Sequence, residues 1–283
     1  MTKKRSTPAL VFMLALISSA ALCQSGTGQG NASVNPLRVV VYDDFEPFSK
    51  DSKGIDADLG TMLANALGRK PEIVGVRAAD DVNKDLRNMI GKGYHTVNIP
   101  LAHVMMHVPV DKTIGGAFTG AVVFSPYYKE SFVLLRNCKD IKEYRDATVF
   151  KEHKVGVEMN SLPQVYLLSK VGQESAANVV QFKEVSEAVK ALQAGDISAI
   201  MATRAQLESL VGPSPADFAY SDVQEGGVIQ VPSWNVGLAV KTDNVQLRDD
   251  LGRAMEQIRS SGQLNELFER YKTTYVAPSI INR

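Results

Sequence analysis

The residue types best suited to chemistry in this chain are carboxylates that crowd one short turn. Asp43, Asp44 and Glu46 follow one another almost directly. Paired carboxylates can bind a metal ion or divide acid and base roles between them. They are also common in solvated turns, where an Asp side chain accepts a hydrogen bond from a nearby backbone amide. We favour the solvated turn, so no catalytic residue and no metal ligand is predicted here.

His103 and His107 form a second candidate pair, because they lie four residues apart. On a helix that spacing would place both imidazoles on one face, as a metal site requires. The residues between them are apolar and predict a strand, in which the two rings would stand roughly 13 Å apart. No shared metal is therefore expected. His107, at the carboxyl end of this strand, is either a ligand-facing histidine or a packed or surface one.

Motifs for covalent and phosphate chemistry are absent from the sequence. There is no Gly-x-Ser-x-Gly nucleophile elbow, no Gly-x-x-x-x-Gly-Lys phosphate loop and no zinc-spaced Cys/His set. Cys138 has no histidine near it in sequence, so we interpret it as a structural or incidental thiol rather than a nucleophile. The sequence thus predicts a protein without enzyme activity, cofactor or metal.

The elements that must position these residues are apolar strands alternating with amphipathic helices. Strands separated by helices imply βαβ units and mainly parallel sheets. The strand candidates are Arg38–Tyr42, Glu72–Arg77, His103–Val108, Phe132–Arg136, Val155–Glu158, Val179–Phe182, Ile197–Ala202 and Val236–Val240. The helix candidates are Asp58–Leu67, Asp80–Lys92, Leu162–Lys170, Ser186–Ala194, Gln206–Val211, Gln246–Ser260 and Gln263–Tyr271. Their order indicates two lobes: residues 37–131 plus 241–283 form lobe 1, and residues 132–240 form lobe 2 with the hinge strands.

The first strand–turn–helix unit, residues 37–68, is the most informative of these. An apolar strand runs into an aromatic turn that contains Phe45 and Phe48. The helix that follows has Asp56 as its expected N-cap and Gly68 as its expected stop. Small ligands bind at the carboxyl ends of strands in open α/β sheets, so this unit predicts a small-molecule site beside Phe45.

The N-terminal residues predict export. Three basic residues precede an apolar stretch over residues 9–21, the pattern of a cleavable secretory signal, which we assign to residues 1–23. A lipid anchor on Cys23 is not expected, because the residue before it is a bulky leucine. Residues 24–36 are rich in Gly, Ser and Asn, which predicts a disordered leader. We therefore expect a periplasmic protein.

Composition argues against two further classes. Lys plus Arg and Asp plus Glu both number 31, giving a formal net charge of zero. No basic cluster lies beyond the signal, so no nucleic-acid partner is expected. No other apolar run in the sequence reaches membrane-spanning length.

Four segments resemble one known family, in the same order. They are GIDADLGTMLANALG, FSPYYKESFVLL, EAVKALQAGDISAIMAT and WNVGLAVKTDNVQLRDDLGRAMEQIRSSGQLNELFERY, at residues 54–68, 124–135, 187–203 and 234–271. The chain resembles the family 3 periplasmic solute-binding proteins, the receptors of polar amino acid ABC transporters. The resemblance implies a type II α/β fold with two lobes, mainly parallel sheets and two hinge strands. It also implies a monomer that holds a small molecule between the lobes and meets a membrane permease.

The resemblance further implies which residues face the ligand. It places an aromatic platform after the first strand, a polar loop after the third strand, donors at a helix N-terminus of lobe 2, and an acidic residue after the last strand of lobe 2. A helix N-terminus favours an anion, so a small polar or anionic organic solute is expected. The residues at these four places are Phe45; His107, Asp111 and Lys112; Asn160 and Ser161; and Thr203 with Arg204.

Two of these places depart from the family pattern. The family's arginine for an α-carboxylate has no counterpart between Lys112 and Arg136, and a lysine cannot form the same two-pronged contact. Thr203 cannot neutralise an ammonium group, and a buried charge without a partner is costly. Tight binding of ordinary α-amino acids in the usual mode is therefore not expected.

A narrower resemblance gives a second function. DLRNMIGKGYHTVNIPLAHVMMHVPVD, at residues 85–111, is similar to a branch found beside pyrroloquinoline-quinone alcohol dehydrogenases, with the J accessory proteins of methanol oxidation as distant relatives. A docking protein needs no site for a zwitterion, so an accessory role for a periplasmic quinoprotein dehydrogenase is the alternative to transport. An enzyme on this scaffold, like the cyclic-acid dehydratases that resemble it, is a third and less favoured hypothesis.

Overall fold

The computed structural model describes residues 35–79, 81–93, 101–110, 119–226, 228–229 and 232–279. The predicted signal, most of the predicted leader, and the predicted ligand residues Asp111 and Lys112 lie outside the described residues. Within these ranges, no helix combines the length and the apolar character needed to cross a membrane.

The described elements alternate between strands and helices. The strands are β1 Leu37–Tyr42, β2 Asp44–Phe45, β3 Ser49–Lys50, β4 Pro71–Val76, β5 Val104–Pro109, β6 Ala121–Asn137, β7 Val155–Glu158, β8 Val179–Phe182, β9 Ala199–Thr203, β10 Phe218–Asp222 and β11 Ser233–Lys241. The helices are α1 Ile55–Ala66, α2 Val82–Leu86, α3 Leu162–Val171, α4 Val185–Ala194, α5 Arg204–Val211, α6 Val245–Ser260 and α7 Gln263–Arg270. A π turn, Arg87–Gly91, continues α2, and two 3-10 turns lie at Ala147–Lys151 and Gln173–Asn178.

The first half of the main sheet is built around β1. Its valines at positions 39–41 are fully buried, as is typical of a central parallel strand that is covered on both faces. β1 pairs in parallel with β4 and with β5, so that Val39 is aligned with Ile73 on one side and Val104 on the other. Helices α1, α6 and α7 pack on one face of this half, and α2 with the π turn packs on the other.

The second half repeats this arrangement around β7. β7 pairs in parallel with β8 and β9, and Val155 is aligned with both Val179 and Ala199. Helix α3 contributes buried residues to the core on one face. Helices α4 and α5 contribute buried residues to the core on the other face.

Two long strands, β6 and β11, connect the halves. β6 pairs antiparallel with β11 from Ala121 to Ser131, and with β9 from Phe132 onward. β11 also pairs antiparallel with β5, and β10 pairs with the free side of β6. The strand order is therefore β4-β1-β5-β11-β6-β9-β7-β8. This is the predicted two-lobe α/β fold with two connecting strands, whereas the lobe boundaries given above stay predictions.

The expected N-cap of α1 is wrong. The cap is Gly54, whose φ of 137° is open to glycine and strained for other residues. A Cβ at this position would stand 2.4 Å from the carbonyl oxygen of Phe48. Asp56 instead lies in the first turn of the helix and is only 1% exposed, because the aromatic turn folds over it. Gly68 follows the helix with a φ of 64°, in keeping with its expected role as the stop.

Tertiary pairing adds strand that the sequence pattern does not predict. β6 extends back to Ala121, although the pattern predicts only Phe132–Arg136, and β10 is not predicted at all. Both additions form antiparallel pairs with a neighbouring strand, and such pairing can impose strand structure where the local pattern is weak.

Candidate functional site

A cleft of about 970 Å³ lies between the two lobes. Lobe 1 contributes the β1–α1 turn and the residues just after α7, and lobe 2 contributes the ends of β7 and β8 and one side of α5. The cleft lies beyond the carboxyl ends of β1, β7 and β8, which is where open α/β sheets hold small molecules. Its lining contains equal numbers of acidic and basic side chains.

Phe45 is half-buried and lies in sequence between Asp44 and Glu46, which both line the cleft. Its ring stacks on the ring of Phe48, with the centroids 5.4 Å apart and the planes 16° apart. The ring of His107 meets Phe45 edge-on at 5.0 Å and packs against Phe48 at 4.2 Å. Ring pairs at these separations stabilise each other. We call Phe45, Phe48 and His107 the aromatic ledge.

His107 also belongs to a network of three buried polar side chains, together with Asp56 and Tyr127, which we call the Asp56 network. The Tyr127 hydroxyl donates to Oδ1 of Asp56 at 2.6 Å, and Nδ1 of His107 lies 3.1 Å from Oδ2. The backbone N–H of His107 donates to the Tyr127 hydroxyl at 3.1 Å. His107 adopts a φ of 59°, an uncommon conformation that asparagine, aspartate and histidine adopt more readily than other non-glycine residues.

Burial governs the chemistry of this network. It raises the pKa of Tyr127 well above its usual value, and the Asp56 carboxyl raises it further. Tyr127 therefore stays a neutral donor at all physiological pH values. Because an ionised Asp56 can only accept hydrogen bonds, Nδ1 of His107 carries a proton in that state. His107 is only 6% exposed, so its ring contacts Phe45 and Phe48 and does not line the cleft.

In lobe 2, Asn160 and Ser161 directly precede α3, and both take part in its cap. The Ser161 hydroxyl donates to the Glu158 carbonyl at 2.6 Å and accepts the N–H of Gln164 at 3.3 Å. The backbone N–H of Asn160 donates to the Gln164 side chain at 2.6 Å. The cleft-lining residue of this segment is Glu158.

Thr203 and Arg204 begin α5, and both are engaged within lobe 2. Thr203 forms a capping box with Gln206 and is 5% exposed. Arg204 forms salt bridges of 3.4 Å with Glu208 and with Asp222. The residues of this helix that line the cleft are Gln206, Ser209 and Leu210.

None of the six predicted ligand residues within the described ranges is itself among the residues lining the cleft. Phe45, Ser161 and Thr203 are, however, each within three positions of a lining residue. The predicted lobe 1 and lobe 2 segments thus meet at one cleft, and the ligand contacts of the individual side chains stay predictions.

Sequence reasoning missed Glu158, the most perturbed carboxyl of the cleft lining. Burial raises its pKa, and the charges of Asp44 and Glu184 raise it further. Glu158 is the last residue of β7, so the rule that ligands bind beyond strand carboxyl ends could have found it. Because its pKa is raised, the charge of Glu158 can respond to a charged ligand in the cleft.

The two histidines of the predicted pair have separate hydrogen-bond partners. Nδ1 of His103 accepts the backbone N–H of Arg38 at 2.9 Å, and burial with nearby arginines lowers its pKa. His107 belongs to the Asp56 network. No cluster of three or more His, Cys, Asp or Glu side chains suited to a metal occurs within the described ranges.

No protein-family model and no curated protein matches this sequence. Solved structures do match it. An ancestral cationic amino acid solute binding protein is 17% identical, with a TM-score of 0.63 over 85% of this chain and 97% of that one. An amino acid ABC transporter substrate-binding protein from Streptococcus pneumoniae, bound to L-arginine, is 20% identical, with a TM-score of 0.57 over 86% of this chain and 97% of that one.

The fold is that of the two-lobed periplasmic binding proteins. MxaJ from Methlophaga aminisulfidivorans shares it too, at 14% identity and a TM-score of 0.63 over 85% of this chain and all of MxaJ (100%). The solved structures similar to this chain therefore include amino acid binding proteins, as the resemblance of the four sequence segments predicts, and they also include MxaJ. At such low identities the likeness establishes the fold alone.

Proposed function

We propose that this protein is a periplasmic solute-binding protein that holds a small polar or anionic organic solute for an ABC-type membrane permease. The observation that carries the proposal is the cleft, which is polar and is walled by strand ends of both lobes. A ligand that touches both lobes at once favours a closed arrangement. The permease recognises that closed arrangement, and the protein acts as a monomer without enzyme activity.

The lining contains cations that are available to an anionic group of the solute. Lys53, Arg77, Lys183 and Lys272 line the cleft, and none of them forms a salt bridge within the described part of the chain. These cations can neutralise an anion. Phe45 offers a flat face for the apolar or planar part of the solute, and Asp111 and Lys112 are the proposed polar contacts of lobe 1.

The proposed ligand is not an ordinary α-amino acid. Thr203 has no charge and Arg204 already pairs with Glu208 and Asp222, so these residues cannot bind an ammonium group. We expect common L-amino acids to change the Tm by less than the natural ligand does. A strong stabilisation by several of them in a thermal-shift screen would contradict this part of the proposal.

Mass spectrometry of small molecules released from the purified periplasmic protein tests the proposal directly. We expect a stoichiometric polar or anionic organic solute, and its return to the stripped protein at 100 times Kd should stabilise the fold by about 2.7 kcal/mol. Phe45→Ala should abolish most of that stabilisation, whereas Phe218→Ala should retain it, because Phe218 lies in β10, a strand that contributes no residue to the cleft lining. Equal responses of the two variants would exclude the site at Phe45.

A second candidate is a non-transport accessory protein of a periplasmic quinoprotein dehydrogenase. The observation that favours it is the likeness to MxaJ, which has the same TM-score as the ancestral amino acid binding protein. This role predicts an empty cleft and co-elution with a quinoprotein dehydrogenase from the native periplasm. A bound solute without such co-elution supports transport instead.

A further inference from the structure

The connecting strand β6 carries a fully buried acid at the point where it passes from one lobe to the other. β6 pairs with β11 up to Ser131 and with β9 from Phe132. Glu130 lies just before this change, opposite Trp234, and is 0% exposed. Bending between the lobes has to act through this strand, so the state of Glu130 bears on how the lobes move.

The Glu130 carboxyl has few hydrogen-bond donors. One of its oxygens, Oε1, accepts the N–H of Ser131 at 2.8 Å. The other, Oε2, has no partner within the described part of the chain, and neither has the buried hydroxyl of Tyr128 on the same strand. The backbone amide of Ala205, at the start of α5, favours the ionised carboxyl without satisfying Oε2. A buried carboxylate left in this way is unfavourable.

The charged groups around Glu130 also include fewer cations than carboxylates. Helix α5 presents Arg204 and Glu208 to it. Glu208 is 2% exposed, pairs with Arg204 at 3.4 Å and accepts the N–H of Thr274 at 2.7 Å. Arg204 also pairs with Asp222 of β10. One guanidinium therefore already serves two carboxylates, and an ionised Glu130 would be a third. Burial accordingly raises the pKa of Glu130 to about 8.

We propose that Glu130 is a proton-operated latch: its neutral form stabilises the packed crossing of β6, and its ionised form favours a bent crossing that admits water. This goes beyond the proposed function, because it depends on the connecting strands and not on the identity of any ligand. A water-exposed glutamate titrates at its ordinary value near 4.3. Between that value and the raised one, the packed crossing binds more protons, so rising pH shifts the equilibrium towards the bent form. Above both values the shift stops.

Two spectroscopic readouts test the latch in the unliganded protein. Lobe separation is measured by single-molecule energy transfer between Cys138, which is exposed, and Asn65→Cys on α1 in a Cys23→Ser background. The fluorescence of Trp234, the only tryptophan of the chain, reports the crossing itself. We expect the ratio of bent to packed forms to rise up to tenfold per pH unit between about pH 5 and 8, with Trp234 following the same curve.

Glu130→Gln should abolish this pH dependence and keep the packed form, whereas Glu266→Gln, on the exposed side of α7, should leave it intact. A Glu130→Gln protein that keeps the full pH dependence would overturn the latch, and so would lobe separation that ignores pH in the unsubstituted protein. Carboxyl NMR of the unsubstituted protein guards against a variant that fails to fold: a Glu130 signal that titrates below pH 6 also overturns the proposal.

Discussion

Among individual residues, Asp56 is an acidic side chain that is buried in the protein interior and fully hydrogen-bonded there. It is 1% exposed, yet both carboxylate oxygens have partners, one in Tyr127 and one in His107. Full pairing is what makes a buried charge tolerable. Because His107 also packs on Phe45 and Phe48, the network links the aromatic ledge to α1 through Asp56 and to β6 through Tyr127.

Two neighbouring tyrosines offer a matched test of this pairing. Tyr127 and Tyr128 are both fully buried, but only the Tyr127 hydroxyl is bonded, whereas the Tyr128 hydroxyl has no partner among described residues. Tyr127→Phe should lower the free energy of unfolding by about 1–3 kcal/mol, because it leaves buried groups of Asp56 and His107 unsatisfied. Tyr128→Phe should be neutral or slightly stabilising. Urea denaturation measures both, and equal losses would show that the network contributes nothing of its own.

The role of Asp56 was not predictable from sequence for a physical reason. An aspartate near the start of a helix normally caps it in contact with water, and this gave the wrong assignment. Its burial depends on Tyr127, which is 71 positions away, and on the fold of the aromatic turn. The turn around Phe45, by contrast, was predictable as part of the cleft, because its place depends only on the local strand and turn. Asp44 and Glu46 of this turn line the cleft, whereas a ligand contact of Phe45 itself stays a prediction.

At the scale of elements, the local sequence pattern was sufficient to predict a strand and its bounds where the apolar run was short. β7 and β8 occur over Val155–Glu158 and Val179–Phe182, the ranges that the sequence predicts, because they are rich in valine and are bounded by turns. β10, Phe218–Asp222, has a mixed pattern and owes its strand structure to pairing with β6. A strand that depends on such tertiary pairing has no periodic sequence pattern of its own, so it could not be predicted from the sequence.

The start of α1 gives a prediction about backbone geometry. Gly54→Ala should cost at least about 2 kcal/mol of unfolding free energy, because the substitution combines an unfavourable φ with overlap against the Phe48 carbonyl. Gly195, at the end of α4, also has a positive φ, of 81°, but a Cβ there would meet nothing within 4 Å. Gly195→Ala should therefore cost only about 1–2 kcal/mol. A Gly54→Ala protein no less stable than its Gly195→Ala counterpart would contradict the crowding at the turn.

The cap of α5 separates a structural role from a ligand role. Thr203→Ala should lower stability by about 0.5–2 kcal/mol through loss of the capping box, and Thr203→Ser should restore most of it. If Thr203 also contacts the solute, the alanine variant will in addition lose affinity at a temperature where it is fully folded. Isothermal titration with the identified solute decides between the two.

For the whole molecule, stability should depend on pH through Glu130. Its pKa is about 8 in the folded protein, and the unfolded chain has the ordinary value, so the folded protein binds the extra proton between the two. Stability is then highest below about pH 4.5 as far as this group is concerned, and falls by up to about 1.4 kcal/mol per pH unit until about pH 8. Denaturant titrations at pH 6 and 8.5 measure the fall, which Glu130→Gln should reduce; an unchanged fall in that variant would assign the effect to other groups.

The even mixture of charges in the cleft has a kinetic consequence. The lining contains six carboxylates and six cations, so their fields largely cancel a short distance outside the opening. Long-range attraction, which can raise association rates 10-fold or more, is then weak for a solute of either sign. In stopped-flow mixing, the association rate constant should hardly change between 10 and 300 mM salt. Differences in affinity between solutes should then lie in their dissociation rate constants.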